Sequence, residues 1–128
     1  MDRPLARGGP AKSVVYAVRS SGTSPGFEFY RDKLNDTEKA QMLRLFNKMA
    51  EQGRIANKEQ FKRIEGTEHL FEFKHFQIRM PCFFLPGSLV VITHGFRKKG
   101  DRIPPSELAR ATQIEREDIA RSQDPRKK

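Results

Sequence analysis

The residues best suited to chemistry gather in one stretch, Ser88 to Arg102, SLVVITHGFRKKGDR, where an apolar run passes directly into a basic one. Leu89 to Thr93 has the unbroken aliphatic, β-branched character of a buried strand, which would deliver His94, Phe96, Arg97, Lys98 and Lys99 to the rim of a sheet. A histidine titrates near neutrality and can take or give a proton, while arginine and lysine hold negative charge as it builds on a phosphate. Such a set suits a reaction whose substrate brings its own nucleophile. RNA cleavage is one, because the ribose 2′-hydroxyl attacks the adjacent phosphate and the protein need only move protons and stabilise charge.

Each of these residues also has a purely structural reading. His94 leaves an apolar strand and is equally suited to a hydrogen-bonded place in the interior. Arg79, on an upstream strand, can bind phosphate or be held by Glu72 as an ion pair. Lys98 and Lys99 fit phosphate contacts or a solvated surface, and Phe96 fits either the core or a platform for a base. The chain's other histidines, His69 and His75, are scattered, and no pair has the close His/Cys spacing of a zinc site. A Gly-rich phosphate loop ending in Lys-Ser or Lys-Thr and a nucleophile elbow are both missing, so neither metal nor cofactor is expected. The lone cysteine, Cys82, sits in an apolar context and reads as a small buried hydrophobe in a reducing compartment.

The elements that must position these groups follow from periodicity. Residues 1–13, MDRPLARGGPAKS, show no apolar period and are expected to form a flexible arm. Val14 to Val18 is β-branched and aromatic and reads as a first strand. Phe27, Tyr30 and Leu34 share the face of a short helix, and Asn35 with Glu38 has capping-box spacing at the start of a second helix. That helix carries Met42, Leu43, Phe46, Met49 and Ala50 as a stripe and stops at Gly53. Residues 53–67 read as a long basic connection anchored by Phe61 and Ile64, with Lys62 able to face a polyanion. Strands over 70–74, 76–85 and 89–95 follow, the last two joined at Pro86-Gly87, and short joints of this kind make antiparallel neighbours. Pro81 removes a ladder donor and predicts a bulge or a locally free edge. A final helix runs from about Ser106 to Arg121, and residues 122–128 form a basic tail. The expectation is an α+β domain over residues 14–121, an antiparallel-rich sheet packed against an N-terminal helical hairpin and a C-terminal helix.

At 128 residues there is room for one core, and 25 Lys and Arg against 16 Asp and Glu give a net charge of +9. A polyanion is the default partner of such a chain, nucleic acid before membrane. No apolar window spans a bilayer and the N-terminus lacks a signal-peptide core, so the expected location is the cytoplasm.

The order of parts resembles a known family. The C-terminal ITHGFRKKGDRIPPSELARA, the upstream LFEFK strand and the helical hairpin are similar to the HigB-like, phage-associated branch of the RelE/ParE toxin superfamily. The match runs from about Val14 to Arg121, and its most specific part is His94 to Lys99 followed by Pro104 and Glu107. This resemblance implies a metal-independent endonuclease that enters the ribosomal A site and cuts translated mRNA. It also implies a cognate helix-turn-helix antitoxin as partner. By position, His94 would transfer protons, Arg79 and Arg97 would stabilise the pentavalent phosphate, and Lys62, Lys74, Phe96, Lys98 and Lys99 would hold RNA. The sequence departs from the family pattern at Pro81, and at Ile78 and Cys82, where an aromatic ring that could stack or donate a proton is lost. Two other readings share the fold: a ParE-like inhibitor of DNA gyrase, and a non-enzymatic nucleic-acid-binding regulator.

Overall fold

The computed structural model describes residues 3–100 and 102–123. In chain order the elements are β1 (Leu5–Gly8), β2 (Ser13–Tyr16), α1 (Pro25–Lys33), α2 (Asp36–Gln52), β3 (Phe61–Arg63), β4 (Phe71–His75), β5 (Ile78–Leu85), β6 (Leu89–Ile92), β7 (Phe96–Arg97) and α3 (Pro105–Gln123). The seven strands form one sheet in the order β1-β2-β6-β5-β4-β3, with β7 also paired to β5. Only β2 and β6 run parallel; the other pairings are antiparallel. The α+β architecture expected from the sequence is the one observed.

Helices cover both faces of the sheet, which explains why β6 has no polar alternation. Val90 and Ile92 pack with Tyr16, Met42 and Phe46 on the α1–α2 side, whereas Val91 packs with Val15, Phe83 and Ile114 on the α3 side. A strand buried on two faces needs apolar residues at every position. At the start of α2, Asn35 Oδ1 accepts from the Glu38 amide at 2.8 Å and Glu38 Oε1 accepts from the Asn35 amide at 3.0 Å, the reciprocal pair predicted from their spacing. Gly53 ends the helix in the left-handed region at φ 78°. Leu45 joins Met42, Phe46, Met49 and Ala50 in the buried stripe, while Leu43 is turned outward.

Several segments depart from the sequence expectation. The arm expected to be flexible is strand β1, paired antiparallel with β2, and Arg3 beside it forks onto Asp118 of α3 through Nη2–Oδ2 at 2.7 Å. Backbone pairing and one ion pair hold this segment, so it needed no apolar period. Ser122 and Gln123 of the expected tail complete α3; Met1, Asp2 and residues 124–128 lie outside the described residues. The connection after α2 contains β3, and its anchors Phe61 and Ile64 are buried.

The strand expected over 89–95 is interrupted: residues 93–95 leave the ladder and β7 resumes it against β5. Pro81 explains where the break falls. Its pairing with Glu72 on β4 is regular, but on the other side of β5 the β6 ladder begins at Cys82 and the β7 ladder ends at Arg79. The missing donor thus lies in the gap, where the Pro81 carbonyl still accepts from the Thr93 amide at 2.8 Å.

Candidate functional site

Side chains of directly paired residues share a sheet face, so the register assembles a site from separate strands. Lys62 on β3 stands opposite Glu72 on β4, Lys74 on β4 opposite Arg79 on β5, and Arg79 opposite Phe96 on β7. Lys98, two residues beyond Phe96, falls on the same face, and its amide is fixed to the Gln77 carbonyl at 2.7 Å. This is the face on which Phe83 and Val91 pack under α3, but the cations occupy its far end.

Four cations, Lys62, Lys74, Arg79 and Lys98, surround one buried carboxylate. Glu72 is 3 % exposed. Burial raises its carboxyl above the usual range, and the charges of Arg79, Lys98, Lys62 and Lys74 oppose that rise. Arg79 Nε approaches Glu72 Oε1 only to 4.0 Å, and neither atom has a hydrogen-bond partner among the described residues. The guanidinium is instead oriented by its Nη1, which donates to the carbonyls of Phe76 and Ile78. Lys74 has the opposite perturbation to Glu72: burial first, then the charges of Lys62 and Arg79, lower its ammonium pKa, and Nζ donates to the Lys58 carbonyl at 3.3 Å. The arrangement can bind consecutive phosphates, and it contains a lysine biased toward giving up its proton.

Three residues expected to act at this centre are not available to a substrate there. His94 is fully buried, with Nε2 3.0 Å from Glu107 Oε1 on α3 and Nδ1 3.0 Å from Thr93 Oγ1. A carboxylate at that distance favours imidazolium, but burial and the charges of Arg110 and Arg19 outweigh it and bring the ring down to about 3. A neutral ring that cannot reach a substrate is a positioning element between sheet and helix. Phe96 is 7 % exposed and stacks on His94 at 5.6 Å between centroids, so its face is already occupied. Arg97 alternates onto the opposite face, where it forks onto Glu38 at 2.8 and 2.9 Å and donates to the Lys33 carbonyl. There it lines a separate cleft of about 630 Å³ with Phe29, Lys33 and Gly95. Lys99 is exposed beside Lys98.

Sequence reasoning placed Glu72 as a partner of the cations but missed Lys74 as the perturbed one, because its neighbours come from three strands. The outward turn of Arg97 did have a signal: alternation along Phe96, Arg97 and Lys98 puts the middle residue on the other face. Among the described residues, no three His, Cys, Asp or Glu side chains are grouped to hold a metal ion, and no helix is long and apolar enough to cross a membrane.

A family model described as phage derived protein Gp49-like (DUF891) matches residues 30–116, well over half of the chain. The chain belongs to this family. Gp49-like proteins are in general toxin-like proteins of the RelE type, which agrees with the resemblance first seen in residues 94–107. The Gp49-like match takes in the whole cationic face, from Lys62 to Lys98, and leaves β1 and β2 outside it. No curated protein matches the chain.

Proposed function

We propose that this Gp49-like protein is the toxin of a toxin–antitoxin pair and that it cuts mRNA on the ribosome without a metal, as HigB-like toxins do. The observation that carries the reading is the shared face of Lys62, Lys74, Arg79 and Lys98, in which burial and the neighbouring cations lower the ammonium pKa of Lys74. Lys74 takes the proton of the attacking 2′-hydroxyl as its oxygen bonds to phosphorus, and returns that proton to the 5′-oxygen as the P–O5′ bond breaks, a role that buried His94 cannot fill. Arg79 stabilises the pentavalent phosphate, and Lys62, Lys98 and the adjacent Lys99 hold flanking phosphates. The nucleophile and both reacting oxygens belong to the RNA, so the protein supplies charge and proton transfer alone. A helix-turn-helix antitoxin is the partner this reading requires.

The test is induced expression followed by mapping of mRNA ends, with the same cuts sought on translating ribosomes in vitro. Lys74→Ala and Arg79→Ala should each lower cutting by about a hundredfold or more, the typical contribution of a positioned proton-transfer or charge-stabilising group. Arg97→Ala should still cut. Intact mRNA in the presence of wild-type protein would reject the reading. The enclosure of His94 favours one rival, a ParE-like gyrase inhibitor, which predicts gyrase-linked DNA breaks with mRNA uncut.

A further inference from the structure

The turn between β4 and β5 holds a side chain that the fold itself does not use. His75 pairs with Ile78, leaving Phe76-Gln77 as a two-residue hairpin loop, a place normally given to Asn, Asp or Gly. Phe76 sits there at φ 51°, in the left-handed region that bulky residues avoid, and it is 84 % exposed. Its ring meets His75 in a T-shaped contact at 4.6 Å and otherwise faces solvent. Both the backbone and the unburied ring make phenylalanine a poor choice for this turn on stability grounds. Outliers of this kind mark functional positions when the surrounding structure fixes them.

Here the surroundings do fix it. Arg79 donates to the Phe76 carbonyl, and the Lys98 amide donates to the Gln77 carbonyl, so the turn is fastened to two of the four cations of the site. The other aromatic side chains of β5 and β7 are spent: Phe83 and Phe96 are buried, and Phe84 points to the opposite face, packed against Phe61 and Phe71. We infer that Phe76 is the base-stacking residue of the site, receiving an unpaired base of the RNA strand whose phosphates lie on Arg79 and Lys98. The inference rests on the RNA-cutting reading and adds to it a contact for the base. An exposed ring on a turn whose carbonyls are held by residues of a cationic site is placed to act as proteins do in holding single strands, where an aromatic takes the base and cations take the backbone. The nearby charge favours a polyanion over an uncharged apolar partner.

Phe76→Asn separates the two demands on this residue, because asparagine tolerates the left-handed turn and cannot stack as a phenyl ring does. The variant should melt at the same temperature as wild type or higher. Its affinity for an unstructured ten-nucleotide RNA should fall about tenfold, while its affinity for an abasic ribose-phosphate chain of equal length stays unchanged. Phe76→Tyr should bind both strands as wild type does. A lower melting temperature for Phe76→Asn would mean that the ring is structural and would overturn the assignment. So would unchanged RNA binding, whether or not capture of an acidic peptide is lost. If wild type then still binds both strands, the RNA reading survives without this contact. A wild type that binds neither strand removes both.

Discussion

His94 has the residue type most associated with proton transfer, yet its two ring nitrogens are used up by Thr93 and Glu107, and burial keeps it neutral. Its consequence is thermodynamic. The folded ring refuses a proton down to about 3, whereas the ordinary value is 6.5, so below 6.5 the unfolded chain binds a proton that the folded one does not. Stability from this source is complete above 6.5 and is lost as the pH falls toward 3, with the folding constant dropping by up to about tenfold per pH unit. Glu38 and Glu117, each lowered to about 2 by its arginine, lose their contributions only below the ordinary carboxylate value of 4.5. Glu72, raised by burial, slopes the other way above 4.5. The informative quantity is therefore the difference between wild type and His94→Gln in urea unfolding from pH 7 to pH 5. Wild type should lose the larger share, and parallel curves would show that the histidine is not held neutral.

At the scale of elements, the strength of a sequence signal depends on whether the forces that hold an element are local. The α2 helix was readable because Asn35, Glu38 and Gly53 act within their own turns, and β6 because four adjacent residues are all buried. β1 and β3 were not readable: each is held by backbone pairing to the strand that follows it, which leaves no apolar period to read, and β3 is three residues long. The site was half legible for the same reason. Residue types announced a phosphate-binding set, but which cations share a face depends on register, and that separated Arg97 from Arg79. The docking of residues 3–8 is open to direct test. Arg3 is the part-buried partner of the buried Asp118, whose carboxylate also accepts from the Val18 amide at 2.9 Å. Arg3→Ala strands that carboxylate and should cost about 3 kcal/mol in denaturant unfolding, the lower end for breaking a buried pair because one hydrogen bond remains. Adding Asp118→Asn should recover part of the loss. A cost below about 0.5 kcal/mol, the range of ordinary surface changes, would mean that the arm is not docked as described.

Across the whole molecule, an excess of nine positive charges sits on a fold in which many cations are already spoken for. Arg3, Arg19, Arg31 and Arg97 each hold a carboxylate, so they add little to attraction for a polyanion. Lys62, Lys74, Arg79 and Lys98 differ, because four of them share a single buried acid and remain in net excess on one face. Binding of single-stranded RNA should therefore weaken with salt as though this face alone were engaged. At about 0.7 of logarithmic slope per phosphate neutralised, Lys62, Arg79, Lys98 and the adjacent Lys99 give a slope near −3, well short of what the net charge would suggest. Lys74, as the base, neutralises no phosphate. Lys98→Ala should bring the slope to about −2. Phe76→Asn should weaken binding without changing the slope, since a stacked base releases no counterions. Fluorescence anisotropy across a salt series reads both effects together. A slope that Lys98→Ala leaves untouched, or that Arg97→Ala reduces equally, would place the bound strand on the other side of the sheet.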